Sequence, residues 1–212
     1  MDYLYPDAVL LIFCKAPIAG QVKTRLLPTL TAEQAMQLHS ELSLSTLQRA
    51  TQQPLCAVQL WCTPTTDHYF FINAAHNYGL TRQRQQGRDL GERMNHALCT
   101  ALKHYQRAVL IGCDCPSLTS QELASAISAL NDKTTAVFAP AEDGGYVLIA
   151  LNRPQAELFT NIPWGSEQVM AETRARCQQL GIIYHELAQQ WDVDTPADLA
   201  RYQIMQSKTL QA

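Results

Sequence analysis

The loop that spans residues 14–26 concentrates three basic side chains, Lys15, Lys23 and Arg25. It follows the apolar run 9–12, which predicts a short buried strand, and it contains a proline and a glycine that interrupt strand structure. Arginine offers phosphate oxygens a two-pronged fork, and lysine offers a mobile point charge. The loop therefore predicts a site for an anion with several oxygens, such as a di- or triphosphate. The alternative is a solvated basic surface.

The glycines of this loop fit neither of two common nucleotide-binding motifs. A dinucleotide fingerprint needs G-x-G-x-x-G after the strand, and here Gly20 stands alone. A Walker A loop needs G-x-x-x-x-G-K-[ST], but two residues separate Gly20 from Lys23-Thr24 and the earlier glycine is missing. Any phosphate site here must use a longer loop of another kind.

Aspartates stand at two places where a divalent cation could be held. Asp114 follows a buried strand, and Pro116 turns the chain away from that strand. Asp192 and Asp194 lie on one side of the backbone if it is extended, and one of them could complete a metal site with Asp114. Carboxylates are the ligands that Mg²⁺ or Mn²⁺ prefers. The alternative for each aspartate is a local role, in which its carboxylate accepts hydrogen bonds from backbone N–H groups.

Two further stretches have both a structural and a functional interpretation. Asp143-Gly144-Gly145 predicts a tight turn, or a place where the backbone approaches a ligand closely. Trp164 could stack on a ring or cover the edge of the core. Thr195 and Asp198 form the two halves of a predicted capping box, so Asp198 is assigned to helix stability.

The composition restricts the class of protein. The chain has 212 residues, 47% of them hydrophobic, so it can bury a sizeable core, and we expect one domain over residues 1–212. A net charge of −3 does not favour nucleic acid as a partner. No apolar stretch reaches the ~20 residues of a membrane helix, so no membrane span is expected. The start MDYLYPD lacks the basic residues of a secretory signal.

The seven cysteines do not predict a disulfide framework, because their spacing is irregular and their number is odd. One residue separates Cys113 from Cys115, whereas zinc sites usually use a pair two to four residues apart and a second pair elsewhere. The six histidines are scattered. The sequence predicts reduced thiols, no zinc site and a cytoplasmic protein.

Strands and helices alternate along the chain. Strands are predicted at 9–14, 57–62, 107–113, 135–140, 146–151 and 182–187, with a weak strand at 81–86. Helices are predicted at 31–50, 66–78, 88–105 and 119–130, from Ser166 to Gly181, and from Thr195 onward. This order predicts an α/β fold: a mostly parallel sheet sandwiched by helices, with an antiparallel excursion near 135–151. Ligands of such sheets bind at the carboxyl ends of the strands, so the loops 14–26 and 113–118 should form the site.

Four stretches, in this order, resemble one family. They are F-x-K-x-P-x-x-G-x-x-K-T-R-L at 13–26, G-x-D-x-P at 112–116, D-G-G-Y at 143–146 and D-V-D-T-P-x-D-L at 192–199. The chain is similar to the glycosyltransferase-like proteins labelled selenodomain-associated transferases, over nearly its whole length. It departs from their pattern at Cys113, Ala150 and Ser166, none of which is a candidate ligand.

The resemblance implies a fold and a set of site residues. The fold is that of the nucleotide-diphospho-sugar transferases, of glycosyltransferase-A type. Lys23 and Arg25 would bind nucleotide phosphates, and with Asp114 they are the candidate catalytic residues. Asp114 and Asp194 would hold Mg²⁺ or Mn²⁺. The nucleotide would also contact a wider set of residues: Lys15, Pro17, Gly20, Thr24, Asp143, Gly144 and Gly145.

The expected function is a metal-dependent transferase that uses a nucleotide or nucleotide-sugar and an acceptor of unknown identity. The family label favours a glycosyltransferase acting on a nucleotide-diphospho-sugar. The three cations of the first loop favour the alternative, a nucleotidyltransferase that takes a nucleoside triphosphate and releases pyrophosphate. A nucleotide-binding module without catalysis is the third possibility.

Overall fold

A computed structural model describes residues 2–209, and its centre is one seven-stranded sheet. The strands lie in the order β3-β2-β1-β4-β6-β5-β7. β6 is antiparallel to both β4 and β5, and the other neighbouring pairs are parallel. The strands are β1 Ala8–Lys15, β2 Ala57–Thr63, β3 Thr81–Arg84, β4 Arg107–Ile111, β5 Ala136–Pro140, β6 Tyr146–Leu151 and β7 Tyr184–Glu186. The predicted mostly parallel sheet with an antiparallel excursion is confirmed.

Six α-helices are found within residues 2–209, and they cover both faces of the sheet. They are α1 Ala32–Thr51, α2 Tyr69–Tyr78, α3 Leu90–Ala101, α4 Ser120–Ala129, α5 Val169–Gln179 and α6 Pro196–Thr209. The same range contains two short 3-10 helices, Thr24–Leu26 before α1 and Ala156–Phe159 between β6 and α5. Among the helices of this range, none combines the length and the apolar character that crossing a bilayer requires.

Alternation along the strands builds two core layers. In β1, Leu10 and Ile12 pack on the layer that α1, α2 and α4 cover, whereas Val9 and Leu11 pack on the layer that α3 and α5 cover. Because both faces are covered, the strand is a continuous apolar run, as its sequence predicted. A third cluster joins α6 to α1. This packing fixes the carboxyl ends of β1 and β4 side by side, since Ile12 is paired with Ile111.

The capping boxes of α1 and α4 are confirmed. The Thr31 and Thr119 hydroxyls accept from the backbone N–H of the residue three positions on, and the side chains of Gln34 and Glu122 accept in return. At the start of α6, Asp198 Oδ2 accepts from the N–H and the hydroxyl of Thr195, both at 2.7 Å. Local polar side chains therefore determine where these helices begin.

Other predicted boundaries are wrong by a few residues. α2 begins later than residue 66, because His68 caps it. α3 is shorter than 88–105 and is capped by Asp89. Ser166 does not cap α5, which begins at Val169 after a turn. The predicted strand 182–187 contains only three strand residues, Tyr184–Glu186, because β7 pairs with β5 alone, at the edge of the sheet.

Candidate active site

The first loop places its cations by an unusual backbone conformation. Lys23 adopts φ 48° and ψ 40°, the left-handed region, directly before the 3-10 helix Thr24–Leu26. A side chain larger than glycine's is disfavoured there by about 1–2 kcal/mol. The surrounding contacts hold Lys23 in this conformation, and its side chain is only 3% exposed. Such strain is typical of positions that a functional site over-determines.

Lys23 and Arg25 are paired with the two predicted metal-binding aspartates. The Lys23 Nζ lies 2.8 Å from an oxygen of Asp114 and 4.0 Å from an oxygen of Asp194. These two carboxylate oxygens therefore lie less than about 7 Å apart. Arg25 Nη1 donates to the other oxygen of Asp194 at 2.5 Å. The backbone supports the arrangement, because the Val193 N–H donates to the Asp114 carbonyl at 3.0 Å.

The charges of this group shift its pKa values. Burial alone would lower the pKa of Lys23, but the charge and hydrogen bond of Asp114, with the charge of Asp194, raise it above its usual value. Burial would raise the pKa of Asp114, but Lys23 outweighs that effect and holds it below the usual range. Both groups are therefore charged at neutral pH, a strong ion pair within the crevice.

Asp192 adds a third carboxylate to the same place. Burial, together with the charges of Asp114 and Asp143, raises the pKa of Asp192 to about 6. The effect shows that these acidic groups share one neighbourhood. Like charges held close together disfavour ionisation, and a cation relieves that penalty. Either Asp192 or Asp194 could therefore be the second metal ligand, since both lie near Asp114.

The turn between β5 and β6 carries Asp143. Asp143 Oδ1 accepts from the Gly145 N–H at 2.9 Å, and the Gly144 N–H donates to the Ala141 carbonyl at 3.2 Å. Gly144 has φ +88°, and a Cβ there would lie 2.1 Å from the Glu167 carbonyl oxygen. The glycine is needed because the turn contacts the segment before α5. This backbone contact gives Gly144 a structural role.

Arg201 of α6 ties this turn to the aspartate segment. Its guanidinium donates to Glu142 at 2.8 Å and lies 4.1 Å from the centroid of the Trp191 ring. Ala141 and Gln190 also form a parallel bridge. The Asp143 turn and the Asp192–Asp194 segment are thus joined on one side of the crevice.

The remaining residues of the first loop have different positions. Lys15 is exposed, and its Nζ donates to the Gln21 carbonyl at 2.7 Å, which spans the loop. Pro17 is buried. Gly20 is exposed at φ +75°, and Thr24, which follows Lys23 in sequence, is also exposed. The Lys15 ammonium therefore binds the loop backbone, whereas Lys23 and Arg25 contact the carboxylates.

The donor set fits a hard divalent cation. The acidic groups offer oxygen ligands alone, the chemistry that Mg²⁺ and Mn²⁺ prefer. Among residues 2–209, no three of these carboxylates have ligand atoms within 4.8 Å of one another, whereas one buried group of a different kind does, Cys14, His39 and Cys113. An arrangement with one or two carboxylates, completed by phosphate oxygens and water, is common for Mg²⁺.

A cavity of about 570 Å³ lies farther along the same edge of the sheet, and no sequence motif indicated it. It opens at the carboxyl ends of β2 and β3, and it is lined by Thr63, Pro64, Arg84, Gln85, Gln86, Gly87 and Arg93. The signal in the sequence was a run rich in arginine, glutamine and glycine between β3 and α3.

Trp164 does not line this cavity. It packs on Gly91 and Phe159, so the interpretation that it covers the edge of the core holds.

Comparison with solved structures identifies the fold. The chain superposes with a TM-score of 0.82 on a protein from Desulfovibrio desulfuricans G20 described as a "putative nucleotide-diphospho-sugar transferase", at 29% identity over 92% of this chain and 85% of that one. It is also similar to a CMP:2-keto-3-deoxy-manno-octonic acid synthetase complexed with CTP, at TM-score 0.62 and 13% identity over 96% and 99% of the chains. The fold is that of the nucleotide-diphospho-sugar transferases, of glycosyltransferase-A type, as the resemblance implied.

A third structure carries both metal and sugar nucleotide. It is glucosyl-3-phosphoglycerate synthase from Mycobacterium tuberculosis with Mn²⁺, uridine-diphosphate-glucose and glycerol 3-phosphate, at TM-score 0.53 and 11% identity over 92% and 75% of the chains. At such identity the likeness shows the fold alone. No curated protein matches the chain.

The family is shown by a direct match. A family model described as "Uncharacterized protein conserved in bacteria (DUF2064)" matches residues 46–166, more than half of the chain. The chain belongs to this family. The match includes Asp114 and the Asp143–Gly145 turn, whereas the first loop and the Asp192–Asp194 segment lie outside it.

Proposed function

We propose that this protein is a metal-dependent glycosyltransferase that acts on a nucleotide-diphospho-sugar. The observation that carries the proposal is the group formed by Lys23, Arg25, Asp114 and Asp194, in which two cations meet two carboxylates at the carboxyl ends of the strands. A diphosphate bridged to carboxylates by a cation needs both kinds of charge in one crevice. The likeness to the Desulfovibrio protein supports the sugar nucleotide as substrate.

The chain's own residues would act by binding and orientation. Arg25 is 61% exposed and can turn its fork from Asp194 to phosphate oxygens. Lys23 is fixed by burial, so its charge is available at one defined point without reorganisation. Asp114, with Asp194 or Asp192, would hold Mg²⁺ or Mn²⁺. The bound ion would supply charge neutralisation at the leaving diphosphate.

The polar cavity beside the first loop is the proposed place of the nucleoside. It lies next to the loop, because the cavity is at the end of β2 and β2 is the neighbour of β1 in the sheet. Its side chains offer guanidinium and amide donors. The backbone at Gly87 packs so closely on the start of α3 that a Cβ there would lie 2.6 Å from the Arg93 backbone nitrogen. The diphosphate would then extend towards Lys23 and the aspartates.

Nucleotidyl transfer is the second candidate. Lys15, Lys23 and Arg25 give the first loop three positive charges, and a triphosphate has more charge to neutralise than a diphosphate. Similarity to a CTP-bound synthetase over the full length of both chains is compatible with it. In this reaction an acceptor oxygen would attack the α-phosphate, and pyrophosphate would leave.

The released product distinguishes these functions. The full chain would be incubated with Mg²⁺ or Mn²⁺, a panel of nucleotide-diphospho-sugars, a panel of nucleoside triphosphates, and hydroxyl and phosphate acceptors. The proposal expects nucleoside diphosphate from a sugar nucleotide, and loss of that product with a chelator or in Asp114→Asn. Asp132→Asn, a change at an exposed aspartate, is the matched control and should retain full turnover.

Other outcomes assign the protein differently. Pyrophosphate from a triphosphate, without nucleoside diphosphate from any sugar nucleotide, would replace glycosyl by nucleotidyl transfer. Calorimetric binding of a nucleotide with neither product would indicate a non-catalytic nucleotide-binding module. Turnover that is unchanged by the chelator would overturn the metal dependence.

A further inference from the structure

Beneath the acidic crevice lies a cluster of soft metal ligands. Cys14 lies near the end of β1, two positions beyond Ile12, and Cys113 follows β4, two positions beyond Ile111, the partner of Ile12. His39 lies over them from α1. One ligand atom from each of the three lies within 4.8 Å of the other two, and the three residues are buried. Tertiary structure unites three residues that no motif connects in sequence.

Ser43 completes the arrangement. It lies one helical turn after His39 on α1, and its Oγ is 3.3 Å from Cys113 Sγ and 3.5 Å from Cys14 Sγ. In a tetrahedral zinc site with Zn–S of ~2.3 Å and Zn–N or Zn–O of ~2.0–2.2 Å, ligand atoms stand roughly 3.5–3.8 Å apart. The distances from the Ser43 Oγ to the two sulfurs are close to these distances between ligand atoms.

One ring nitrogen of His39 is held by the backbone. His39 Nε2 lies 2.8 Å from the Lys15 carbonyl oxygen, which can only accept, so this contact places the ring proton on Nε2. In that tautomer Nδ1 carries no proton, so its lone pair can bind a metal ion. Histidines that bind metals are commonly fixed by such a hydrogen bond from the other ring nitrogen to a backbone carbonyl.

We propose that Cys14, Cys113 and His39, with the Ser43 hydroxyl or a water in the fourth position, bind one Zn²⁺ that joins β1, β4 and α1 below the crevice. Zinc binding displaces the two thiol protons to solvent, so the two thiolates balance the charge of the ion in this buried place. A monovalent soft ion would leave one negative charge buried, which favours Zn²⁺. The role is structural, distinct from the oxygen ligands proposed for Mg²⁺ or Mn²⁺.

Co²⁺ is the optical probe for this site. The full chain would be treated with a chelator and reductant and then titrated with Co²⁺ without oxygen. The proposal expects one ion per chain, a near-ultraviolet thiolate-to-cobalt band, and displacement of Co²⁺ by Zn²⁺. Carboxylates give no such band, so binding in the acidic crevice is distinguished. Cys14→Ala and Cys113→Ala should weaken binding at least 100-fold, whereas Cys177→Ala, at another buried thiol, should not change it.

A second measurement does not depend on variants that fold. X-ray absorption at the zinc edge of the unmodified chain counts the sulfur neighbours of the ion, and two are expected. Absence of the thiolate band, an equal band in Cys14→Ala, or a zinc ion with only nitrogen and oxygen neighbours would each overturn the proposal.

Discussion

Lys23 combines burial, a left-handed backbone conformation and an ion pair. The side chain is 3% exposed, yet it keeps its charge because Asp114 accepts its hydrogen bond at 2.8 Å. Removing the carboxylate would leave a buried ammonium without its partner, which destabilises the fold, although the 40% exposure of the Asp114 side chain makes the cost smaller than for a fully buried pair. At the residue scale, the same contact therefore bears on both stability and the proposed function.

Replacing the exposed Arg25 tests phosphate binding with little effect on folding. Replacing it in Arg25→Ala should weaken nucleotide binding by roughly 1.5–3 kcal/mol, the range for hydrogen bonds to charged groups. The fold should be retained, because the ion pair with Asp194 lies at the surface, where pairs contribute about 0–1 kcal/mol. Calorimetry with each nucleotide that binds measures the change.

Arg174→Ala is the matched control, since Arg174 is also exposed and paired, with Glu186, but lies on α5. Equal affinities of the wild type and Arg25→Ala for every bound nucleotide would mean that the loop is only a basic surface.

Besides its proposed role as a metal ligand, Asp114 is the ion-pair partner of the buried Lys23, which its position in the sequence did not reveal. Asp114→Asn should abolish metal-dependent turnover. Replacing an aspartate that has no buried partner by asparagine would change the stability of the protein little. Here the change removes the charge partner of Lys23. We expect a cost of roughly 1–3 kcal/mol, less than the ~3–5 kcal/mol of a fully broken buried pair, because asparagine keeps an accepting oxygen.

Asp194→Asn should also abolish turnover but cost less stability, because its closest partner, Arg25, is exposed. Denaturant unfolding and product assays on both variants provide the comparison. Retained turnover in either variant would contradict its role as a metal ligand.

At the scale of elements, capping side chains and glycines determine how the segments around the site begin and turn. Thr195 and Asp198 start α6 immediately after Asp194. Gly144 allows the β5–β6 turn to touch the segment before α5. Both features hold loops of the candidate site without needing a ligand.

The α6 cap has a testable pH dependence. Burial raises the pKa of Asp198, but hydrogen bonds from Thr195 and Asp194 outweigh it, so its folded pKa lies below the usual value. Its contribution is therefore present above the unfolded pKa, about 4, and is lost as the pH falls through the lower folded value. Asp198→Asn should cost about 0.5–2 kcal/mol at pH 7.

The difference in unfolding free energy between Asp198→Asn and the wild type should narrow towards pH 3. The exposed Asp132→Asn, measured over the same range, controls for general charge effects. A difference that is constant from pH 7 to pH 3 would show that the charge of Asp198 does not stabilise the cap.

Two glycines with similar φ angles allow the contact at the β5–β6 turn to be measured separately from backbone strain. Gly144 has φ +88° and Gly165 has φ +84°, but nothing lies within 4 Å of a Cβ at Gly165. Gly165→Ala should cost about 1–2 kcal/mol from backbone strain alone. Gly144→Ala should cost at least about 2 kcal/mol more, because its methyl group meets the Glu167 carbonyl. Equal melting temperatures would mean that the turn moves away freely.

For the whole molecule, the cysteines give a prediction about chemical state. Six of the seven are buried, Cys99 is half-buried, and none is in a disulfide. Burial raises the pKa values of Cys56 and Cys62 to about 12, so these thiols are unreactive at neutral pH. Mass spectrometry of freshly prepared protein should find no disulfide. A Cys113–Cys115 bridge would contradict the prediction of reduced thiols.

Local patterns in the sequence sufficed for those parts of the molecule that local physics controls. Apolar runs located β1, β4 and β6, because a strand buried on both faces needs apolar residues throughout. The capping boxes at Thr31, Thr119 and Thr195 located helix starts, since their hydrogen bonds span only three residues. The alternation of strands and helices predicted a parallel sheet and hence the edge at which the cations and aspartates gather.

Only the tertiary structure decided which side chains pair across that edge. Lys23 joins Asp114, and Arg25 joins Asp194, through contacts between residues far apart in the chain. The cluster of Cys14, His39 and Cys113 was hidden for the same reason: spacing in sequence excludes a local zinc motif but does not exclude ligands that β1, β4 and α1 bring together. The cavity lined by Arg84 and Arg93 likewise depends on how β3 lies beside β2. Sheet order and packing set these distances, and no local pattern encodes them.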